Sequence, residues 1–258
     1  MVPTWVVVVM LAAGCGRLRF DPLADAAAAD TLAANDAVDA APPNQIWAST
    51  FPSGAEIYEI DPTTLMPGVG TAMCTNIGGP DMGEIAFDAS GQLIGFGYSQ
   101  ITMYRVEPDF ATCTAFPLTA GGVSIGSSIK GAELVGGVLL AASANGELYR
   151  VNTIDGTAEL VVTLAAKPSG DLVWTGTDLL MTVSPTTGND TLVRIDQTTG
   201  AVTTIGTTQY GSVFGMAWRN GVLYALTDSG QVAIIDPTTA ATVRVFNATP
   251  HWGGAAVY

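Results

Sequence analysis

The sequence predicts an all-β domain, a five-bladed β-propeller with four-stranded blades. Three observations predict it. Three short strand patterns each occur five times, they recur with a period of about 44 residues, and no part of the repeats sustains a 3.6-residue apolar period.

The first pattern is centred on tyrosine and ends at a turn: residues 57–61 (IYEID), 103–107 (MYRVE), 148–152 (LYRVN), 192–196 (LVRID) and 232–236 (VAIID). Successive copies are 46, 45, 44 and 40 residues apart. Tyr58 and Ile60 share one side of the chain and Glu59 the other, as a strand period of two requires. The second pattern is a short apolar strand closing in small or hydroxylated residues: 45–50 (QIWAST), 92–97 (QLIGFG), 138–143 (VLLAAS), 179–184 (LLMTVS) and 222–227 (VLYALT). The third is a Gly-led strand at 84–88, 132–136, 171–175, 216–219 and 254–258, where Phe87, Trp174, Trp218 and Tyr258 are placed for packing between blades. A more variable strand, such as 158–164 or 201–207, completes each unit of four. Asp61-Pro62, Asp236-Pro237, Asn220-Gly221 and Ser229-Gly230 punctuate the units as tight reversals.

The count also fixes how the ring closes. The chain begins the repeats at a second-pattern strand and leaves them at a third-pattern strand, so blade one is split. Its inner strand, 254–258, must come from the far end of the chain and pair with 45–50. The order of the strands resembles the NHL-type and related short-blade β-propeller repeats over residues 44–258, a resemblance that bears on fold and not on activity.

Two segments precede this domain. Residues 1–14 (MVPTWVVVVMLAAG) form an apolar run too short for the roughly 20 residues of a bilayer span, ending in small residues: a signal peptide. Leu11-Ala12-Ala13-Gly14-Cys15 resembles a bacterial lipobox, which implies that Cys15 is lipidated and becomes the mature N-terminus. Residues 15–43 carry that cysteine and a tether; from Asp21 to Pro43 it has ten Ala and five Asp with no base and no aromatic residue, a composition that buries too little to fold. The expected location is the bacterial cell envelope, anchored by lipid in the outer membrane, and the expected state is a monomer.

Nine Lys plus Arg against 23 Asp plus Glu give a formal charge of −14, which excludes nucleic acid as a partner because a phosphate backbone would be repelled. After Pro43 there are 18 acids and seven bases, a net of −11, so the folded part is itself acidic. In an exported chain Cys74 and Cys113 are free to pair, on or near the outer strands of blades one and two, either as a disulfide clamp or as two separate small apolar residues.

Binding groups are expected in the loops that lead into the inner strands and gather at one channel mouth: 75–83, 119–130, 165–170, 208–214 and 247–253. In or beside them lie Glu84, Lys130, Asp171, Tyr210, Phe214, His251 and Trp252. Gly122-Val123-Ser124-Ile125-Gly126 matches a nucleophile elbow literally but lacks the strand-to-helix setting. Its one potential base would be His251, with Asp171 as third member. Two channel carboxylates fall short of the six to eight oxygens of a calcium shell. Some propeller lactonases hold a metal with acids in the corresponding channel, but the remaining acidic and amide positions are missing here, so no metal, cofactor or catalytic set is expected. Arg105, Arg150 and Arg194 share one repeat position and read as solvated charges around the ring. The expected function is a lipid-anchored, non-enzymatic binding or scaffold module for a protein or carbohydrate. The alternative is a channel-mouth hydrolase or lyase, lactonase-like or serine-type, with or without one bound metal.

Overall fold

The computed structural model describes residues 45–51, 55–185 and 188–258. The segments expected to be a signal peptide and a lipidated tether, residues 1–14 and 15–43, lie outside the described residues. Blade one takes β1 (Ile46–Thr50), β2 (Glu56–Ile60) and β3 (Thr71–Ala72), and blade two takes β4 (Met82–Phe87), β5 (Leu93–Gly97), β6 (Thr102–Val106) and β7 (Cys113–Pro117). A hairpin of β8 (Thr119–Ala120) and β9 (Val123–Ser124) precedes blade three, which is β10 (Ile129–Val135), β11 (Val138–Ser143), β12 (Glu147–Val151) and β13 (Thr157–Thr163). Blade four is β14 (Leu172–Trp174), β15 (Leu179–Val183), β16 (Thr191–Ile195) and β17 (Val202–Thr207). Blade five is β18 (Val213–Arg219), β19 (Val222–Thr227), β20 (Gln231–Ile235) and β21 (Thr242–Asn247). The last strand, β22 (Trp252–Val257), returns to blade one.

These are five antiparallel sheets arranged as a five-bladed β-propeller, nearly all β; among the described residues the one helical segment is a 3₁₀ turn at Thr75–Ile77. Strand β22 pairs with β1 in the register Ile46 to Val257, Trp47 to Ala256 and Ala48 to Ala255, so the split blade closes as the repeat count requires. The strand starts two residues earlier than its Gly-led pattern, at Trp252.

Burial explains why periodicity found strands but gave no single core face. Every residue of β5 is buried, because a blade is sandwiched between two neighbours and both of its faces are seams. The core is accordingly five clusters, one per seam. One joins Ile57, Met73 and Cys74 to Ile85, Phe87 and Tyr104 across blades one and two, and another joins Ile46, Ile60 and Trp252 to Tyr224 and Leu226 across blades one and five. The outer strands β13, β17 and β21 are largely exposed and rich in threonine, the composition of a solvated sheet edge.

Blade three departs from the four-strand expectation. Strand β8 adds to its outer edge in parallel, Thr119 beside Thr157 and Ala120 beside Ala158, and β9 folds back on β8. The two-residue turn between them, Gly121-Gly122, has positive φ at both positions (59° and 81°), which a tight hairpin of this hand demands and glycine supplies without strain.

The Cys74 and Cys113 sulfurs are bonded, with Cα atoms 4.9 Å apart, closing a span of 39 residues. Cys113 opens β7 and Cys74 follows β3, so the bridge clamps the outer edges of blades one and two.

Candidate functional site

Four of the five inner strands carry a β-bulge near their start: between Met82 and Glu84, Ile129 and Gly131, and Val213 and Gly215, and opposite Ala48 to Thr50 in β22. A bulge re-aims the residue it inserts. Here the inserted residues Gly83, Lys130 and Phe214 line one small cavity at the mouth, together with Phe51, Tyr98 and Ser169. The Lys130 Nζ stands 3.8 Å from the Tyr98 ring centre and 6.0 Å from that of Phe214, and Phe51 packs on both rings at 4.4 and 6.1 Å. The cation and three aromatic rings leave room for about 10 Å³, at or below a single water. The mouth is stoppered.

Below the stopper lie Glu84 and Asp171, both 0% exposed. Asp171 occupies the axis of the ring. Its Oδ1 accepts the N–H groups of Leu172 (2.7 Å) and Ala132 (3.3 Å), and its Oδ2 those of Met216 (2.8 Å) and Ala255 (3.4 Å). Ala132, Met216 and Ala255 hold one repeat position, each paired with an alanine of the next strand: Ala141, Ala225 and Ala48. The fourth member of that set, Ile85, gives its N–H to Glu84 Oε1 at 2.8 Å. The propeller therefore aims equivalent amides at its axis, a concavity suited to negative charge, and fills it with its own carboxylates.

The strands can come this close because the preceding position is glycine in three blades. A Cβ on Gly131 would stand 2.4 Å from the Leu172 nitrogen, and one on Gly254 would stand 2.2 Å from Glu84 Oε1. Glu84 Oε2 is buried without a donor, and the two acids flank adjacent residues of β22: Glu84 Oε1 fills the space a Cβ on Gly254 would take, and Asp171 Oδ2 accepts the N–H of Ala255 at 3.4 Å. Burial first, then the neighbouring negative charge, push the Glu84 carboxyl well above the usual range. Burial raises Asp171 as well, opposed by its N–H donors. A third acid, Glu133 on β10, lines a cavity of about 120 Å³ with Ala86, Phe87 and Ala256. The residue is half-buried, and desolvation pushes its carboxyl up to about 8.

The sequence-selected residues are thus distributed, not gathered. Lys130 and Phe214 meet at the stopper. Glu84 and Asp171 are inside the ring with no exposed surface. Trp252 is fully buried in the seam between blades one and five, edge-on to Tyr58 at 5.5 Å, and so presents nothing to solvent. Tyr210 packs against the seam between blades four and five, and its carbonyl accepts the Thr208 hydroxyl at 2.7 Å. His251 is exposed, with Nδ1 3.3 Å from Asp228 Oδ1.

Ser124 lies on β9, at the outer edge of blade three, whereas Asp171 is bonded among the inner strands, so the three residues of the elbow reading are not assembled. Within the loop 119–130, residues 119–124 are drawn to the outer edge of blade three as β8 and β9, while Lys130 stays at the mouth. Arg150 and Arg194 form exposed pairs with Glu159 (3.2 Å) and Asp178 (3.0 Å). Asp61, Asp196 and Asp236 cap their own turns through N–H bonds from the threonines that follow.

Glu133, Phe51 and Tyr98 escaped the sequence reading. Phe51 and Tyr98 each follow a second-pattern strand by one residue in adjacent blades, a coincidence visible in the repeat alignment. Nothing in the Glu-Leu-Val of β10 marks Glu133.

A metal in the channel is the group that the lactonase likeness would imply. The residues do not fit it: the Asp171 oxygens face four N–H donors, which repel a cation, and among the described residues no group of three or more His, Cys, Asp or Glu is arranged to hold one.

Comparison with solved structures gives likenesses of fold. A chain of a nidogen/laminin complex superposes with a TM-score of 0.54 at 12% identity, covering 83% of this chain and 97% of that one. A gluconolactonase from Xanthomonas campestris gives 0.52 at 13%, covering 82% and 79%. A protein of unknown function from Bacteroides thetaiotaomicron gives 0.54 at 13%, covering 86% and 62%. The shared fold is the β-propeller. No family model and no curated protein matches the sequence.

Proposed function

We propose that this chain is an envelope-anchored, non-enzymatic binding module whose ligand is a carbohydrate taken up away from the channel. The observation that carries this reading is the filled axis: its two carboxyls accept backbone amides, and the mouth above them has about 10 Å³ of space. The face opposite the mouth offers an open groove of about 620 Å³ between blades two and three, within the usual range of roughly 300 to 1,000 Å³ for small-ligand sites. Asp88, Ser90, Arg150, Asn152 and Thr153 line it, a set of donors and acceptors suited to hydroxyl groups. Asp88 Oδ2 accepts the Thr153 hydroxyl at 2.9 Å, which ties the floor of the groove across the two blades. Lipid on Cys15 and the 15–43 tether would hold this groove at the envelope surface.

Titration of the purified protein against envelope oligosaccharides tests the reading. Saturable binding that falls at least tenfold in Asp88→Ala and Arg150→Ala, and is unchanged in Lys130→Ala, is the expected result; binding lost only in Lys130→Ala would return the site to the mouth. In cells, fatty-acid labelling that disappears in Cys15→Ala is expected.

The second reading is a channel hydrolase or lyase. The neighbouring buried acids Glu84 and Asp171, both raised by burial, favour it, since such pairs serve acid–base chemistry elsewhere. Turnover of a lactone panel by the wild type, abolished in Glu84→Ala with the fold intact, would establish it in place of the binding module.

A further inference from the structure

We propose that Glu84 and Asp171 hold one proton between them, and that this shared proton is a pH-sensitive latch on the inner ring, tight while the proton is present and loosened when alkali removes it.

The geometry leaves one arrangement. Asp171 takes four N–H bonds, which suits an ionised carboxylate. Glu84 Oε1 takes one N–H, and its Oε2, fully buried, meets no donor. With the two carboxyls side by side against Gly254 and Ala255, ionising both would place two like charges in a site sealed from solvent, and Glu84 Oε2 would have nothing to accept. A proton on Glu84, donated to Asp171, satisfies both groups and converts a repulsion into a short link between blades two and four. Gly254 makes room for this arrangement on the third side, since the space a Cβ would fill is taken by Glu84 Oε1.

Among the described residues, the strands around the pair place no cation against it to substitute for the proton. Glu84 is the titratable group of β4, Lys130 and Glu133 are those of β10, Arg219 ends β18, and Asp171 immediately precedes β14. Strands β1, β5 and β22 carry none. Lys130 is engaged with the Tyr98 ring at the mouth, and the charged neighbours that act on Glu84 are both acids, Asp171 and Glu133.

The direction of the pH effect follows. An unfolded chain releases these protons in the ordinary carboxylate range of roughly 4 to 4.5, whereas the folded ring keeps them to higher pH. Stability is therefore greatest near the unfolded value and falls as pH rises, tenfold in the folding constant per pH unit for each proton retained. Glu133 retains a second proton up to about 8. The turn aspartates Asp61, Asp109, Asp155, Asp196 and Asp236 are lowered by hydrogen bonds, and in Asp88 burial is outweighed by such bonds, so their contribution is lost only as pH falls below the usual carboxylate range.

The test is equilibrium unfolding of the full chain in urea at pH 5, 6, 7 and 8 for wild type, Glu84→Gln and Glu133→Gln. Glutamine keeps the donor to Asp171 and cannot ionise, so the wild-type loss of stability with pH should become shallower by about tenfold per unit in Glu84→Gln, and separately in Glu133→Gln. An unchanged slope in Glu84→Gln overturns the latch. Infrared spectroscopy covers the case in which Glu84→Gln does not fold. Glu133→Gln at pH 8 should still show the carbonyl band of one protonated carboxyl group, and absence of that band in the folded protein also overturns the proposal.

Discussion

Replacing Asp171 by asparagine would turn one of its two oxygens into an NH₂ donor while four backbone N–H groups still pointed at it. At least one pair of donors would then face each other without water. Leaving a buried charged partner or several amides unsatisfied costs on the order of 3 to 5 kcal/mol, and in this position it is felt by four blades at once. Asp171→Asn is therefore expected to lower the unfolding free energy by about that amount in urea titration, with Asp171→Ala at least as severe; a loss below about 1 kcal/mol would show that the axial amides do not need the carboxylate. The residue was conspicuous in the sequence as an acid in an apolar strand, but its role was not. A carboxylate at the edge of a channel and one sealed within it have the same neighbours in sequence. The difference lies in Ala132, Met216 and Ala255, which come from other blades.

The strands themselves were legible because each blade repeats local chemistry: the tyrosine-centred patterns became β2, β6, β12, β16 and β20, and the small-residue patterns became β1, β5, β11, β15 and β19. What sequence periodicity could not show was pairing between two-residue pieces. Strands β8 and β9 have too few residues to express a period, and they exist because the outer edge of β13 was open to Thr119 and Ala120. Blades one and two solve the same edge differently. There the outer strand of blade one is only Thr71–Ala72, and the Cys74–Cys113 bond ties the chain beyond it to β7, helped by Asn76, whose side-chain oxygen accepts the Cys113 N–H at 2.9 Å and whose amide donates to the Cys113 carbonyl at 3.0 Å. A bridge closing a loop of this length contributes about 2 to 4 kcal/mol by restricting the unfolded chain. Reduction, or Cys74→Ala with Cys113→Ala, should lower stability by that much in denaturant titration. Blades three to five should keep their amide exchange protection, with the loss concentrated at β3 and β7.

In four blades a turn joins the inner strand to its neighbour, as Asn220-Gly221 joins β18 to β19, but in blade one β22 and β1 belong to opposite ends of the repeats. A ring held by its seams and axial hydrogen bonds tolerates moving the covalent break. The Tyr258 N–H donates to the Gln45 carbonyl at 3.3 Å, so a short Asn-Gly link between these residues would make blade one resemble the others. A circular permutant of residues 45–258, joined in this way and opened between Asn220 and Gly221, should melt in one cooperative transition close to that of the unpermuted domain. Removing residues 253–258 should do the opposite. It takes away Ala255, one of the four donors to Asp171, leaves Trp252 without its strand, and bares the inner edge of β1. Low solubility or a broad, non-cooperative melt is expected for that truncation. Cooperative melting of the truncated chain would mean that four blades and a remnant suffice, and the claim that closure through β22 holds the ring would have to be given up.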